Sequence, residues 1–449
     1  MEVKVLSTKI VKPSYPEGSP APDTTEFVPS SVFDKATYDI QMAIIYAFRP
    51  PGPSPAAIER GLAAVLAIYR LFAGQVIRRR DGDAAGEATG VVLNDHGARL
   101  VEAIVDANLA DIAPAKPSPA VLRLHPNLDG GEIKEIVQVQ LTRFACGSLA
   151  VGFTASHAVA DGHATSDFLA AWGRAARGLA AVAGESPPHH RPDLFLPRDP
   201  PLVEFDHRNV EYYRPPPPPL AGAGDEHHKH GGDGVVIHKA HFTKDFIARL
   251  RAAASDGRGR PYSRFETILA HVWRAMTRAR GLGNPNQTST IRISVDGRHR
   301  LSPTAPENYF GNMVLWAFPT ATVGELLNRP LKHAAQTIHD AVARVDAGYF
   351  RSFIDFASSG AVEEEGLAPT AVLKDVLCPD LEVDSWLTFP FYELDFGTGS
   401  PTYFMPSYFP TEGMLFLVPS YLGDGSVDAF VPVFEHNLEA FKQSCYSME

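Results

Sequence analysis

Cysteine is scarce. The 449 residues hold three, Cys146, Cys378 and Cys445, too few for a disulfide framework, so reduced thiols in a cytoplasmic protein are expected. Long apolar runs are missing too. No uninterrupted stretch of 18 apolar residues occurs, and the opening MEVKVLSTKIVKPSYPEGSPAP has no apolar core. Neither a membrane-spanning helix nor a secretory leader is therefore expected. Nor is there an excess of positive charge: 41 Lys and Arg against 52 Asp and Glu give a net charge of −11. Such a surface repels nucleic acid and anionic membranes and is compatible with a cationic small substrate. No P-loop, complete GxGxxG, HExxH or GxSxG occurs. Nucleotide hydrolysis, Rossmann redox chemistry, zincin proteolysis and the serine-hydrolase elbow all lose support.

What is present is an ordinary globular composition, with 45% hydrophobic and 21% charged residues, enough apolar mass to exclude disorder over most of the length. IQMAIIYAF (40–48), the alternating IVQVQLTRF (136–144) and the largely apolar LAVGFTAS (149–156) read as strands, the last one central. Helices are expected from Pro55 to Gly74, over 165–183, after Ser263 and near 323–348. Ser263 with Glu266 three residues later forms a capping box. Residues 185–234 break the pattern with proline, glycine and histidine, including five consecutive prolines at 215–219, a composition of linkers and mobile loops. The economical parse is two α/β domains, 1–200 and 235–449, around a linker at 201–234.

A bare H-x-x-x-D carries little information, since about one match is expected by chance in a chain with this many histidines. Five occur here, at His125, His157, His163, His189 and His241. His157 alone follows an apolar strand directly and has a glycine, Gly162, to turn the chain into a helix. A histidine at the rim of a buried sheet can stay neutral near pH 7 and still reach a ligand, which is the setting of a general base. The competing reading is a satisfied structural histidine. Cys146, close to His157 in sequence, is expected to be a small buried hydrophobe. His227, His228 and His230 sit in the linker with nothing to fix ligand geometry, so no metal site is expected there.

A second element sits near the C-terminus: Asp395-Phe396-Gly397-Thr398-Gly399. HxxxDG in mid-chain with DFGxG downstream resembles the plant BAHD family of acyl-CoA-dependent acyltransferases, with Thr398 in place of the family's usual Trp. SRFETILAHVWRAM (263–276), VDGRHRLSPTAPENYFGN (295–312), the pair Ser385-Trp386 and the closing PVFEHNLEAF extend the resemblance along most of the chain. It implies an α/β fold of two similar chloramphenicol-acetyltransferase-like domains. Each would be a mixed sheet flanked by helices, with the active-site channel between them. His157 takes the place of the catalytic base. Asp161 takes that of the motif aspartate, paired with Arg298 and orienting the loop, with the acid of a His-Asp dyad as the alternative. Asp395, Phe396, Gly397 and Gly399 are structural. Ser263 and Arg264 match the CoA-binding zone, although Ser263 has its capping role as an alternative. Acyl-CoA is a co-substrate, no further cofactor is implied, and the family expectation is a monomer. A thioester is already activated, so a base and orientation suffice for direct attack by an amine or hydroxyl.

Asp384 is the departure that bears on the acceptor. Members acting on shikimate or quinate usually have Thr before the Ser-Trp pair and an Arg upstream, where this chain has EVDSW and no Arg in LAPTAVL. A carboxylate gained and a guanidinium lost favour a cationic acceptor. Glu363, Glu364 and Glu365 add negative charge upstream, or form a solvated acidic loop. RFACGSLAVGF, GYFRSFIDFASSGAVE and SYFPTEGMLFLVPSYLGDGSVDAF resemble the grass branch that makes phenolamides from hydroxycinnamoyl-CoA and putrescine, agmatine or an aromatic amine such as tryptamine. Tyr46 and Trp386 fall where related enzymes line the acceptor pocket; a core strand tyrosine is the alternative for Tyr46. One pocket carboxylate inclines the reading to the aromatic amine. Benzoyl-CoA as donor, O-acylation of an alcohol, and a non-catalytic acyl-CoA-binding protein are the alternatives.

Overall fold

The apolar run that ends at His157 forms a strand, Leu149–Ser156, buried along its whole length. The computed structural model describes residues 2–80, 87–112, 117–126, 133–179, 192–216, 234–303, 306 and 308–448. In it this strand lies fourth in a six-stranded sheet. The order is Lys4–Val11, Ala98–Val105, Val137–Phe144, Leu149–Ser156, Gln41–Phe48 and Tyr403–Pro406. The second and third strands are parallel and the other neighbours antiparallel. Burial on both faces explains why Leu149–Ser156 reads as a largely apolar run; Val137–Phe144 is buried too, and alternates because Gln138, Gln140 and Thr142 line a buried polar row.

One face of this sheet carries aromatic packing. Phe153 lies 6.0 Å from Phe168 of the helix Gly162–Ala176, and the helix Pro55–Ile68 is tied to the same helix by Trp172 Nε1 donating to Ile58 O at 2.9 Å. The opposite face carries a buried polar row. Gln138 is directly across from Thr154, and Gln140 Nε2 donates to Arg123 O at 2.8 Å and to Thr142 Oγ1 at 3.0 Å. The short helix Pro119–Leu124 lies flat on this row. A Cβ on Gly152 would come within 2.0 Å of Leu124 O, so only glycine permits the approach. His125 is thereby seated over the strand with Nδ1 3.2 Å from Thr154 Oγ1, and burial lowers its pKa to about 4.

The second sheet is ordered Val235–Phe242, Val427–Phe434, Met414–Pro419, Leu381–Ser385, Thr288–Asp296 and Val314–Ala317, with Thr320–Thr322 paired to the fifth strand. It too is mixed, with Leu381–Ser385 parallel to both of its neighbours. The Ser263 capping box starts the helix Arg264–Ala279 as expected, and its Trp273 is fully buried with Nε1 bonded to Ser289 Oγ at 2.9 Å.

The chain forms two compact units, neither continuous in sequence. One comprises Met1–Phe195, Leu301–Val314 and Phe389–Tyr408; the other comprises Leu196–Arg300, Leu315–Thr388 and Phe409–Glu449. The division therefore does not fall at one place in the chain. Three local expectations need correction. The single helix near 323–348 is three, Val323–Asn328, Leu331–Arg344 and Ala347–Ala357: Pro330 can neither donate an amide nor continue the first helix, and Asp346 caps the third by accepting from Tyr349 N at 3.0 Å. The helix expected over 165–183 starts earlier, at Gly162, and ends at Ala176. Gly178, at φ 70°, turns the chain there and its amide closes on Ala175 O at 3.0 Å. Finally, the proline-rich stretch is only partly linker-like in behaviour. Residues 217–233, with the linker histidines, lie outside the described residues, as does His189. Leu196 to Pro216, however, is held by the second unit. His207 and Glu211 are fully buried, with His207 Nδ1 2.9 Å from Glu211 Oε2 and Nε2 3.0 Å from Ser352 Oγ. Tyr349 donates to Glu211 at 2.7 Å and Arg198 to Asp355 at 2.7 Å. Proline and glycine density signals irregular backbone; it does not signal lack of side-chain anchorage.

Cys146 also departs from expectation. It is exposed in the turn between Val137–Phe144 and Leu149–Ser156, and hydrogen bonds led by Ser148 Oγ hold its thiol below the ordinary range. Among the described residues no helix is long and apolar enough to cross a membrane.

Candidate active site

The first unit places the HxxxDG segment at the exit of its central buried strand. His157 follows Ser156, and its amide is fixed by Ile40 O at 2.8 Å. Of the two ring nitrogens, Nδ1 is buried without a hydrogen-bond partner, which leaves Nε2 as the nitrogen open to a ligand. The Tyr38 ring lies beside the imidazole at a centroid distance of 6.4 Å.

Asp161, four residues on, is 2% exposed and is committed to the backbone. Its Oδ1 accepts from Ala164 N at 2.9 Å as the N-cap of Gly162–Ala176, and its Oδ2 accepts from Met313 N at 3.0 Å. A carboxylate so used fixes the loop that carries His157, and it suits the partial positive charge of a helix N-terminus. Gly162 opens the helix directly after it. Arg298, in the second unit, is fully buried and lies with Nη1 3.1 Å from Asp296 Oδ1.

Two residues outside the sequence-derived set complete this corner of the first unit. Asn312 Nδ2 donates to His157 O and to Asp34 Oδ1, both at 2.9 Å, and Asn312 N donates to Asp34 Oδ1 at 3.2 Å. Asp34 Oδ2 accepts from Ser31 N at 2.8 Å in a capping box. Burial pushes the Asp34 carboxyl up, against the opposing bonds from Asn312 and Ser31.

The DFGxG element is built into the same unit. Asp395 Oδ1 accepts from Gly397 N at 2.8 Å and Gly399 N at 2.9 Å, and its Oδ2 lies 3.3 Å from Arg177 Nη1. Phe396 packs edge-on to Trp172 at 4.9 Å and against Phe48 at 5.5 Å. A Cβ on Gly173 would stand 2.7 Å from Asp395 N, so glycine is what lets the helix after His157 lie directly on this loop. Thr398 takes no part in these contacts. Tyr46 is fully enclosed, at 5.9 Å from Phe404, with its hydroxyl buried and unpartnered; burial holds its pKa well above the ordinary phenol value. It is a core residue here rather than an open pocket wall.

In the second unit, Asp384 sits half-buried on the strand Leu381–Ser385. Its Oδ1 accepts from Ser294 Oγ at 2.6 Å, and Oδ2 has no partner among the described residues. Trp386 is buried at 5.1 Å from Phe416. Ser263 spends its hydroxyl on Glu266 N at 3.1 Å, and Arg264 reaches Gly425 O at 3.3 Å. Glu365 makes a two-armed ion pair with Arg208, while Glu363 and Glu364 are exposed. Among the described residues no cluster of His, Cys, Asp or Glu could hold a metal ion.

A histidine at a strand end with one free nitrogen, a loop aspartate spent on backbone amides, and a glycine-rich corner locked by Asp395 define an acyltransferase of the kind the motifs resemble. Comparison with known proteins agrees. The profile of the Transferase family matches residues 1–448, and the chain belongs to that family, the acyl-CoA-dependent BAHD acyltransferases. It is 79% identical over 460 residues to putrescine hydroxycinnamoyltransferase of Oryza sativa subsp. japonica, covering 100% of both chains. To agmatine hydroxycinnamoyltransferase 1 of the same organism it is 51% identical, covering 99% of each. Among solved structures, vinorine synthase superposes with a TM-score of 0.68 at 21% identity, over 98% of this chain and 96% of that one, which supports the fold of two mixed sheets with flanking helices.

Proposed function

We propose that this protein transfers a hydroxycinnamoyl group from coenzyme A to putrescine, forming the amide. The observation that carries the reading is full-length identity of 79% to a putrescine hydroxycinnamoyltransferase. Similarity to putrescine and agmatine enzymes moves the acceptor away from the aromatic amine favoured by the sequence alone, towards a short aliphatic dication.

In this reading the neutral primary amine attacks the thioester carbonyl carbon and a C–N bond forms. His157 Nε2 takes the proton that the nitrogen sheds. The tetrahedral intermediate then collapses, the C–S bond breaks, and the proton passes from His157 to the departing thiolate, giving amide and free CoA. The base, the acyl-CoA and the amine balance the reaction, and no further cofactor enters it. Asp384 contributes an anionic oxygen, its free Oδ2, for the ammonium that does not react. Arg298 as partner of Asp161, Trp386 at the acceptor and Ser263 with Arg264 at CoA belong to the same reading, as does a cytoplasmic monomer.

The test is a mass-spectrometric product screen of the purified protein. It pairs p-coumaroyl-, feruloyl- and benzoyl-CoA with putrescine, agmatine, tryptamine and shikimate. A hydroxycinnamoyl amide of putrescine is the expected dominant product. A shikimate ester as sole product, or amides of tryptamine alone, would overturn the acceptor assignment.

A further inference from the structure

The residue that joins three separate stretches of the first unit at His157 is Asn312, the last residue of the family-like stretch 295–312, to which the sequence reading and the proposed reaction assign no role. We propose that Asn312 is a positioning residue for the base, fixing the main chain of His157 through a donor pair whose other end is anchored on Asp34. The inference rests on His157 being the general base.

The geometry runs as a chain of hydrogen bonds. Both hydrogens of the Asn312 amide are used, one on His157 O and one on Asp34 Oδ1, each at 2.9 Å. Both neighbours are pure acceptors, so the amide can point only one way: its nitrogen faces them and its oxygen faces elsewhere. That oxygen is buried without a hydrogen-bond partner, in a residue only 1% exposed. An asparagine kept for packing would not leave an acceptor unsatisfied, so the donor side is what the site requires. The anchor is firm. Asp34 Oδ1 also holds Asn312 N at 3.2 Å, and Asp34 Oδ2 is tied to Ser31 N at 2.8 Å at the start of the helix Val32–Ala36. On the other side, Asp161 Oδ2 holds Met313 N at 3.0 Å. The stretch around Asn312 is thus gripped by two carboxylates, one of them the motif aspartate.

The imidazole needs this. Its Nδ1 has no hydrogen-bond partner, so no side chain orients the ring in the way a carboxylate orients the histidine of a catalytic triad. Ring direction must come from the backbone, which is held at the His157 amide by Ile40 O at 2.8 Å and at its carbonyl by Asn312. Release of the carbonyl leaves one of those two restraints.

The experiment compares Asn312→Asp, Asn312→Ala and Asp34→Ala with the unaltered full-length protein, using p-coumaroyl-CoA and putrescine. Rates are expressed per molecule competent to bind p-coumaroyl-CoA, with the competent fraction read from calorimetric stoichiometry. The expected result is a 10- to 100-fold fall in kcat with both KM values within twofold. The double variant Asn312→Ala, Asp34→Ala should be no worse than the poorer single one, because the two act through one chain of bonds. Unchanged kcat in both Asn312 variants overturns the inference. So does loss of acyl-CoA binding in all variants, which marks a residue needed for folding only. His157→Ala, run alongside, separates the two levels: if it retains turnover, the base assignment itself has failed.

Discussion

His125 makes the stability of this protein depend on pH in a way that can be calculated. Its ring is buried against Thr154 Oγ1 and its pKa is lowered from the ordinary 6.5 to about 4. The unfolded chain therefore binds a proton there as pH falls through 6.5, while the folded chain does not until about 4. Stability from this group is complete above pH 6.5 and is lost progressively as pH drops towards 4. Between pH 7.5 and pH 5 the linkage relation gives a loss of about 2 kcal/mol from this one site. The variant His125→Asn retains a polar atom near the Nδ1 position for Thr154 but cannot titrate. It should be less stable than the unaltered protein at pH 7.5, by about 1–3 kcal/mol for the lost packing, and should lose about 2 kcal/mol less on acidification. The assay is urea unfolding at both pH values, followed by intrinsic fluorescence. Parallel acid dependence in the two proteins, or a His125 ring resonance that titrates near 6.5, would refute the argument.

Further outcomes follow from the site. His157→Ala should lower kcat by about 10²- to 10⁴-fold while leaving the Kd for CoA unchanged, measured by stopped-flow thiol release and calorimetry. Asp384→Asn should raise KM for putrescine roughly tenfold, a charge-assisted contact of about 1.5 kcal/mol, with kcat nearly constant; an unchanged KM would dismiss Asp384 as an acceptor contact. Gly173→Ala places a methyl against the Asp395 backbone, and should cost about 1–2 kcal/mol after the gain in helix propensity, seen as a Tm lower by several degrees in calorimetry.

Much of this molecule was legible in the chain. The strands Gln41–Phe48, Val137–Phe144 and Leu149–Ser156 and the capped helix at Ser263 came from periodicity and capping. The family resemblance supplied the two-sheet fold and the acyl-CoA chemistry. What sequence pattern could not show were tertiary placements. Cys146 was misjudged because an average preference of cysteine for burial says nothing about a residue at a hairpin turn. The stretch up to Pro216 was misjudged because His207 is anchored on Ser352, 145 residues away in the chain. Asn312 closes a stretch that carried the resemblance, but its role was not readable there because a donor pair to a carbonyl leaves no periodic trace. The lean towards an aromatic amine rested on counting carboxylates in one segment, which cannot see a whole pocket.

The strand Tyr403–Pro406 closes one edge of the sheet by pairing with Gln41–Phe48, and Asn312 reaches His157 from the middle of the chain. Synthesis runs in one direction, so the nascent first unit must wait for both. While the ribosome makes the intervening residues, at about 5–20 per second, the strand Gln41–Phe48 presents an unpaired edge and the base lacks its restraint. The N-terminal half expressed alone would inherit that condition permanently: an open, apolar strand edge of the kind that recruits other chains. The enzyme is therefore born late, becoming competent only when nearly all of its chain has emerged, and a prematurely ended product is a candidate for aggregation rather than for partial activity.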